Sequence, residues 1–181
     1  MDSRPLLSNQ RARRFTNQRE TLMKKITLSA FALLFSAAAT IASAQVPSYG
    51  PNVTLEQAKR AVAAGEAEAR KNGWPVAIAI FDTAGQLVAF QKMDDTQTAS
   101  IDVAQDKGRS AAIFRRPTKV MEDAVAGGGA GVRFLNLRGA STVEGGLPII
   151  VNGKVIGSIG VSGVTSQQDG IVAKAGADAL K

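Results

Sequence analysis

Apolar and polar positions alternate in blocks along the chain, and the clearest block runs from Gly145 to Gly163, GGLPIIVNGKVIGSIGVSG. An apolar run, Leu147 to Val151, meets Asn152-Gly153 and then a second run, Lys154 to Val161. Asn-Gly between two β-prone runs predicts a hairpin, because a type I′ turn needs positive φ at both central residues. Gly157, Gly160 and Gly163 interrupt the second arm, so another backbone, a helix or a ligand is expected to approach it closely. A second hairpin is predicted upstream: Val76–Phe81, the turn Thr83-Ala84-Gly85, then Gln86–Met93. Its first arm is apolar at successive positions, which predicts a central strand, and Asp82 is expected to cap the turn.

Helical spacing fills the intervals. Leu55, Ala58, Val62 and Ala69 recur near a 3.6 period after Thr54, with Gln57 as capping-box partner and Asn72-Gly73 as the stop. Ile101–Phe114 carries a small-residue face of Ala104, Gly108, Ala111 and Ala112 behind Thr98 and Ser100 as candidate caps. Thr118–Ala126 reads as a short helix, Gly127–Gly131 as a mobile connector, and Val132–Leu137 as an irregular edge segment. A last helix is expected over Gly170–Leu180, capped by Ser166 with Asp169 three residues on. The resulting order, α-β-β-α-(α)-β-β-α, places the chain in the α+β class, as an antiparallel sheet covered by helices.

The first 44 residues stand apart. Residues 1–22 are arginine-rich and read as a disordered or non-native extension upstream of a true start at Met23. Residues 23–44 carry two lysines, a 16-residue apolar stretch from Ile26 to Ile41 and Ala42-Ser43-Ala44, the pattern of a secretory signal peptide. The apolar stretch is shorter than the roughly 20 residues that span a bilayer, so no stable membrane anchor is expected after cleavage. Residues 45–181 are then a single domain, and the location expected for it is periplasmic or secreted. The leader also holds seven of the 22 basic and two of the 15 acidic residues, so residues 45–181 carry 15 against 13, a net charge of +2. The high overall charge is therefore no argument for nucleic-acid binding.

Two absences restrict the chemistry most. The chain has no histidine and no cysteine. That excludes Ser-His-Asp and Cys-His catalysis, histidine-ligated zinc and histidine-ligated haem, and it leaves an exported chain to be stable without disulfides. The Gly127–Gly131 run lacks phosphate-loop spacing. Arg133 and Arg138 are the cations nearest the glycine-bearing hairpin in sequence, placed to meet an anionic ligand or to be solvated.

Four stretches carry a resemblance: DTAGQLVAFQKMDD (Asp82–Asp95), KGRSAAIF (Lys107–Phe114), EGGLPIIVNGKVIGSIGVSG (Glu144–Gly163) and DGIVAKAGADAL (Asp169–Leu180). Together they resemble the GlcG/HbpS family, which is similar to the C-terminal domain of PduO-type proteins. The resemblance implies a five-stranded antiparallel sheet flanked by helices, profilin-like in outline, and assembly into homo-oligomers. It also implies a small-molecule ligand, haem or another tetrapyrrole, with a role in haem or iron handling. Haem is a cofactor that the sequence admits but does not require. Without histidine, Met93 is the best soft ligand for haem iron. Arg133, Arg138 and Lys107 are candidates to meet the propionates, and Gly145, Gly146 and Pro148 complete the candidate ligand-binding set. Two other readings stay open: an enzyme acting on a small organic acid through a carboxylate base, and a structural homo-oligomer without catalysis.

Overall fold

Two hairpins join into one antiparallel sheet of strand order β2-β1-β4-β3. The computed structural model describes residues 46–181; the expected extension (1–22) and signal peptide (23–44) lie outside the described residues. The elements are α1 (Leu55–Asn72), β1 (Ala77–Phe81), β2 (Leu87–Lys92), α2 (Ser100–Phe114), α3 (Thr118–Ala126), a 3₁₀ helix (Gly129–Asn136), β3 (Gly146–Val151), β4 (Lys154–Ser162) and α4 (Ser166–Asp178). Asn152 and Gly153 take φ of 51° and 73°, the positive values a type I′ turn requires. Asp82 caps the other turn, its Oδ1 accepting from the amides of Ala84 and Gln86.

The sheet has four strands and not the five implied by the family resemblance. The lead-in segment reaches β4 beyond the end of β1, where the Ser48 carbonyl accepts from the Val155 amide at 2.9 Å and the Gly50 amide donates to the Val155 carbonyl at 2.8 Å. Pairing is confined to one bridge, Tyr49 to Val155. Pro47 and Pro51 bracket that bridge and have no N–H to continue a ladder, so a full strand does not form.

Apolar residues on both faces of β1 and β4 demand a cover on each side, and the helices supply it. Ile78, Ile80, Ile159 and Val161 pack with Ala61 and Val62 of α1 and Val172 and Ala173 of α4. Ala77, Ala79 and Phe81 face the other way, onto Ala104 and Ala112 of α2. The small-residue face of α2 allows close seating: a Cβ on Gly160 would stand 2.0 Å from the Ala104 carbonyl oxygen. The glycine-bearing strand is therefore covered by the protein's own helix.

Local capping explains the helix starts, with two corrections. Thr54 and Gln57 form the expected capping box on α1, and Gly73 closes it in the left-handed region. Thr54→Ala is expected to cost about 1 kcal/mol in a urea denaturation curve, with an unchanged slope. On α4, Thr165 and not Ser166 is the cap, with Gln168 and not Asp169 as its partner. Asp169 is committed elsewhere, as described below. On α2, Ala99 is the N-cap without a side-chain bond, while Ser100 is buried and its hydroxyl oxygen accepts from the Ser162 hydroxyl. The glycine-rich connector is shorter than expected, because Gly129–Asn136 winds as a 3₁₀ helix and replaces the expected edge segment.

Candidate functional site

Lys107 projects from α2 and is 1% exposed. Its Nζ donates to Asp169 Oδ2 of α4 at 2.8 Å and to the Val161 carbonyl of β4 at 3.1 Å. Asp169 Oδ1 in turn accepts from the Val164 amide. Burial pushes the Asp169 carboxyl above its usual range, while Lys107 and the amides of Val164 and Gly163 oppose that rise. The helices α2 and α4 cover opposite faces of the sheet, so this ion pair ties the two helical layers together. Gly145 and Gly146 make room for it: a Cβ on Gly145 would lie 2.9 Å from Lys107 Nζ, and one on Gly146 2.3 Å from the Lys107 carbonyl oxygen.

The segment just before these glycines holds a second carboxyl cluster. The Glu144 amide donates to Glu122 Oε2 of α3 at 2.5 Å, and the Gly146 amide donates to Thr118 Oγ1 at 3.0 Å. Glu144 Oε2 is buried with no hydrogen-bond partner. Burial raises the Glu144 carboxyl above its usual range and the neighbouring Glu122 raises it further, against the attraction of Lys119 and Lys107.

Met93 lies elsewhere. It follows β2, its amide donates to the Val76 carbonyl, and its side chain packs against the main core cluster. It also lines an open cleft of about 340 Å³ with Arg70, Trp74, Pro75, Asp94 and Asp95. The pairing of β1 with β2 creates this neighbourhood, because it sets the end of β2 beside the stretch joining α1 to β1. The cleft thus gathers a thioether, an indole and a guanidinium. Trp74 and Arg70 were missed by sequence reasoning. The usable signal was the chain's single tryptophan, set between the Gly73 C-cap and Pro75.

The candidate residues therefore divide. Lys107, Gly145 and Gly146 come together, and Pro148 shares the Gly146 face of β3 two residues on. Met93 sits toward the same end of the sheet on the opposite edge, about 14 Å across by three strand spacings and further along by the offset from Phe90, which shares the row of Gly146. Arg133 lies on the 3₁₀ helix and Arg138 just after it, both exposed. Lys107, placed by sequence reasoning toward a ligand carboxylate, instead faces Asp169 inside the protein. Among the described residues, no group of three or more His, Cys, Asp or Glu side chains is arranged to hold a metal ion, and no helix is long and apolar enough to cross a membrane.

The sequence and the fold have known relatives. The family model described as haem degrading protein, HbpS-like, matches residues 53–178. Protein GlcG of Escherichia coli K12 is 42% identical over 110 residues, covering 61% of this chain and 81% of GlcG. Streptomyces reticuli HbpS, solved as a double mutant, superposes with a TM-score of 0.67 at 27% identity, covering 74% of this chain and 90% of that one. The haem complex of PduOC superposes with a TM-score of 0.65 at 23% identity, covering 72% and 96%.

Proposed function

The chain belongs to the HbpS-like family, and from that premise we propose that it is an exported small-molecule-binding protein whose ligand is haem. The observation that carries the reading is the cleft that gathers Trp74, Met93 and Arg70. The family description names haem, and one protein of the same fold was solved with haem bound. Export rests on the signal-peptide pattern of residues 23–44. Self-association, implied by the family resemblance, is part of the same proposal.

The residues present fit the group. With no histidine or cysteine in the chain, the soft ligand available at the cleft is the Met93 thioether. Trp74 offers an aromatic ring for a flat ligand, and Arg70, whose Nε and one terminal nitrogen hold Glu66, keeps its remaining N–H donors for a propionate. Asp94 and Asp95 line the same cleft and repel carboxylates, so the propionates are directed toward Arg70. Bound haem would supply the iron centre that the thioether ligates. A cleft of about 340 Å³ is smaller than a whole porphyrin, so part of the ring would stay outside it.

Trp74 is the only tryptophan and serves as the reporter. Haemin titration is expected to quench its fluorescence saturably at about one haemin per chain, with weaker binding in Arg70→Ala. Quenching that rises without saturation overturns the proposal.

A further inference from the structure

The α3 and 3₁₀ helices are attached to the rest of the fold by little more than one short seam. Only Thr118 and Met121 of α3 are buried, and no residue of the 3₁₀ helix is. The two helices pack on each other closely enough that a Cβ on Gly131 would overlap the Ala124 carbonyl. They therefore behave as one body. Its boundaries are marked by Arg115 at φ 53° and Gly139 at φ 80°, both in the left-handed region. Between them the seam consists of Thr118 Oγ1 accepting from the Gly146 amide, Glu122 Oε2 accepting from the Glu144 amide, and Met121 against the Ser110 hydroxyl.

We propose that residues 118–136 form a proton-controlled flap over the Gly145–Gly146–Lys107 junction, latched where Glu122 grips the backbone of Glu144. With the flap closed, Glu122 holds the Glu144 amide and its charge acts on the Glu144 carboxyl, which packs on Gly170 of α4 and keeps Oε2 buried without a partner. A neutral Glu144 tolerates that position; an ionised one is repelled by Glu122 and lacks solvation. The charged groups around Glu144 are Glu122, Lys119 and Asp123 from α3, Lys107 from α2 and Asp169 from α4, whose Cβ packs at the Gly145 position. Lys119 is engaged with Asp123 and Lys107 with Asp169, so their attraction for Glu144 is shared with carboxylates of their own and does not offset the rise.

The sign follows from linkage. In the closed form the Glu144 carboxyl lies above its ordinary value of 4.5, so closure is coupled to proton uptake. The closed state is fully favoured below that ordinary value and loses its advantage as pH rises through the raised one. Opening at higher pH uncovers the Gly146 backbone and gives solvent a path to the ion pair.

Hydrogen exchange of the whole chain, corrected for the intrinsic pH dependence of amide chemistry, tests this from about pH 4, below the ordinary value, to about pH 8. Amides of residues 118–136 are expected to lose protection severalfold across that range, while those of β1 and β4 do not. The slope is expected to vanish in Glu144→Gln, and to shrink in Glu122→Gln, which leaves the Glu144 side chain intact. A flat profile in the parent, or a slope that persists in both variants, overturns the proposal.

Discussion

Lys107→Met is expected to destabilise the protein by about 3–5 kcal/mol, the cost of leaving one member of a buried ion pair uncompensated. The side chains of Lys107 and Asp169 are only 2% and 3% exposed, and their contact at 2.8 Å is reinforced by the Val161 carbonyl and the Val164 amide. Removing the ammonium leaves a carboxyl already raised by burial with amide donors alone, so it rises further. The folded variant then binds a proton that the unfolded chain releases at lower pH. Its stability is best in acid and declines as pH rises through the raised value, making the loss larger at about pH 8 than at about pH 5. Thermal unfolding at the two pH values measures it. The double variant Lys107→Met, Asp169→Leu is expected to recover much of the loss, because two apolar side chains of similar volume need no pairing. A single Lys107→Met variant within about 1 kcal/mol of the parent at both pH values would show that the pair does not hold the layers together.

Gly160→Ala is the second large effect, and its origin is steric. A Cβ there would stand 2.0 Å from the Ala104 carbonyl oxygen and 2.3 Å from the Gly108 amide nitrogen, both backbone atoms of α2. No rotamer relieves contacts with backbone, so the helix must lift from the sheet. The lift would also strain the Ser158 hydroxyl bond to the Gly108 carbonyl, which is 2.6 Å long. The expected cost is at least about 3 kcal/mol, at the upper end of overpacking effects, read as a lowered denaturant midpoint or as insoluble expression. A soluble Gly160→Ala protein with the parent midpoint would contradict the close seating of α2.

What the sequence made legible is what local chemistry decides. Asn152-Gly153 between apolar runs specified its turn, and a β1 segment apolar on both faces specified a central strand. Thr54 with Gln57 specified the start of α1. The failures share a different cause, which is that contacts distant in sequence settled them. Lys107 and Asp169 are 62 residues apart, and nothing local marks them as partners. Once Asp169 turns inward to Lys107, the capping box shifts by one residue to Thr165 and Gln168, an alternative that the local pattern also permits. Glycine composition argued for a loose connector at Gly127–Gly131, yet the lack of a side chain at Gly131 is what lets the 3₁₀ helix pack on α3. The fifth strand was carried over from the resemblance, against the two prolines in its path.

The candidate site follows the same division. Met93 was singled out as a candidate soft ligand in a chain without histidine or cysteine. Its neighbours Trp74 and Arg70 belong to a different part of the chain and meet it only through the pairing of β1 with β2. Gly160 was identifiable, with Gly157 and Gly163, as a point of close approach. That a helix carrying Lys107 makes the approach depends on the folded layers.

Haem binding at the Met93 cleft is tested most directly by titrating haemin into the parent protein and Met93→Leu side by side and following the Soret band. The leucine keeps the volume of the side chain and removes the sulfur, so core packing is conserved while the ligand is lost. The expected result is a saturable Soret shift in the parent, and a band at a different position with weaker binding in Met93→Leu. Identical band positions and affinities in the two proteins, or no saturable shift in the parent, would contradict it.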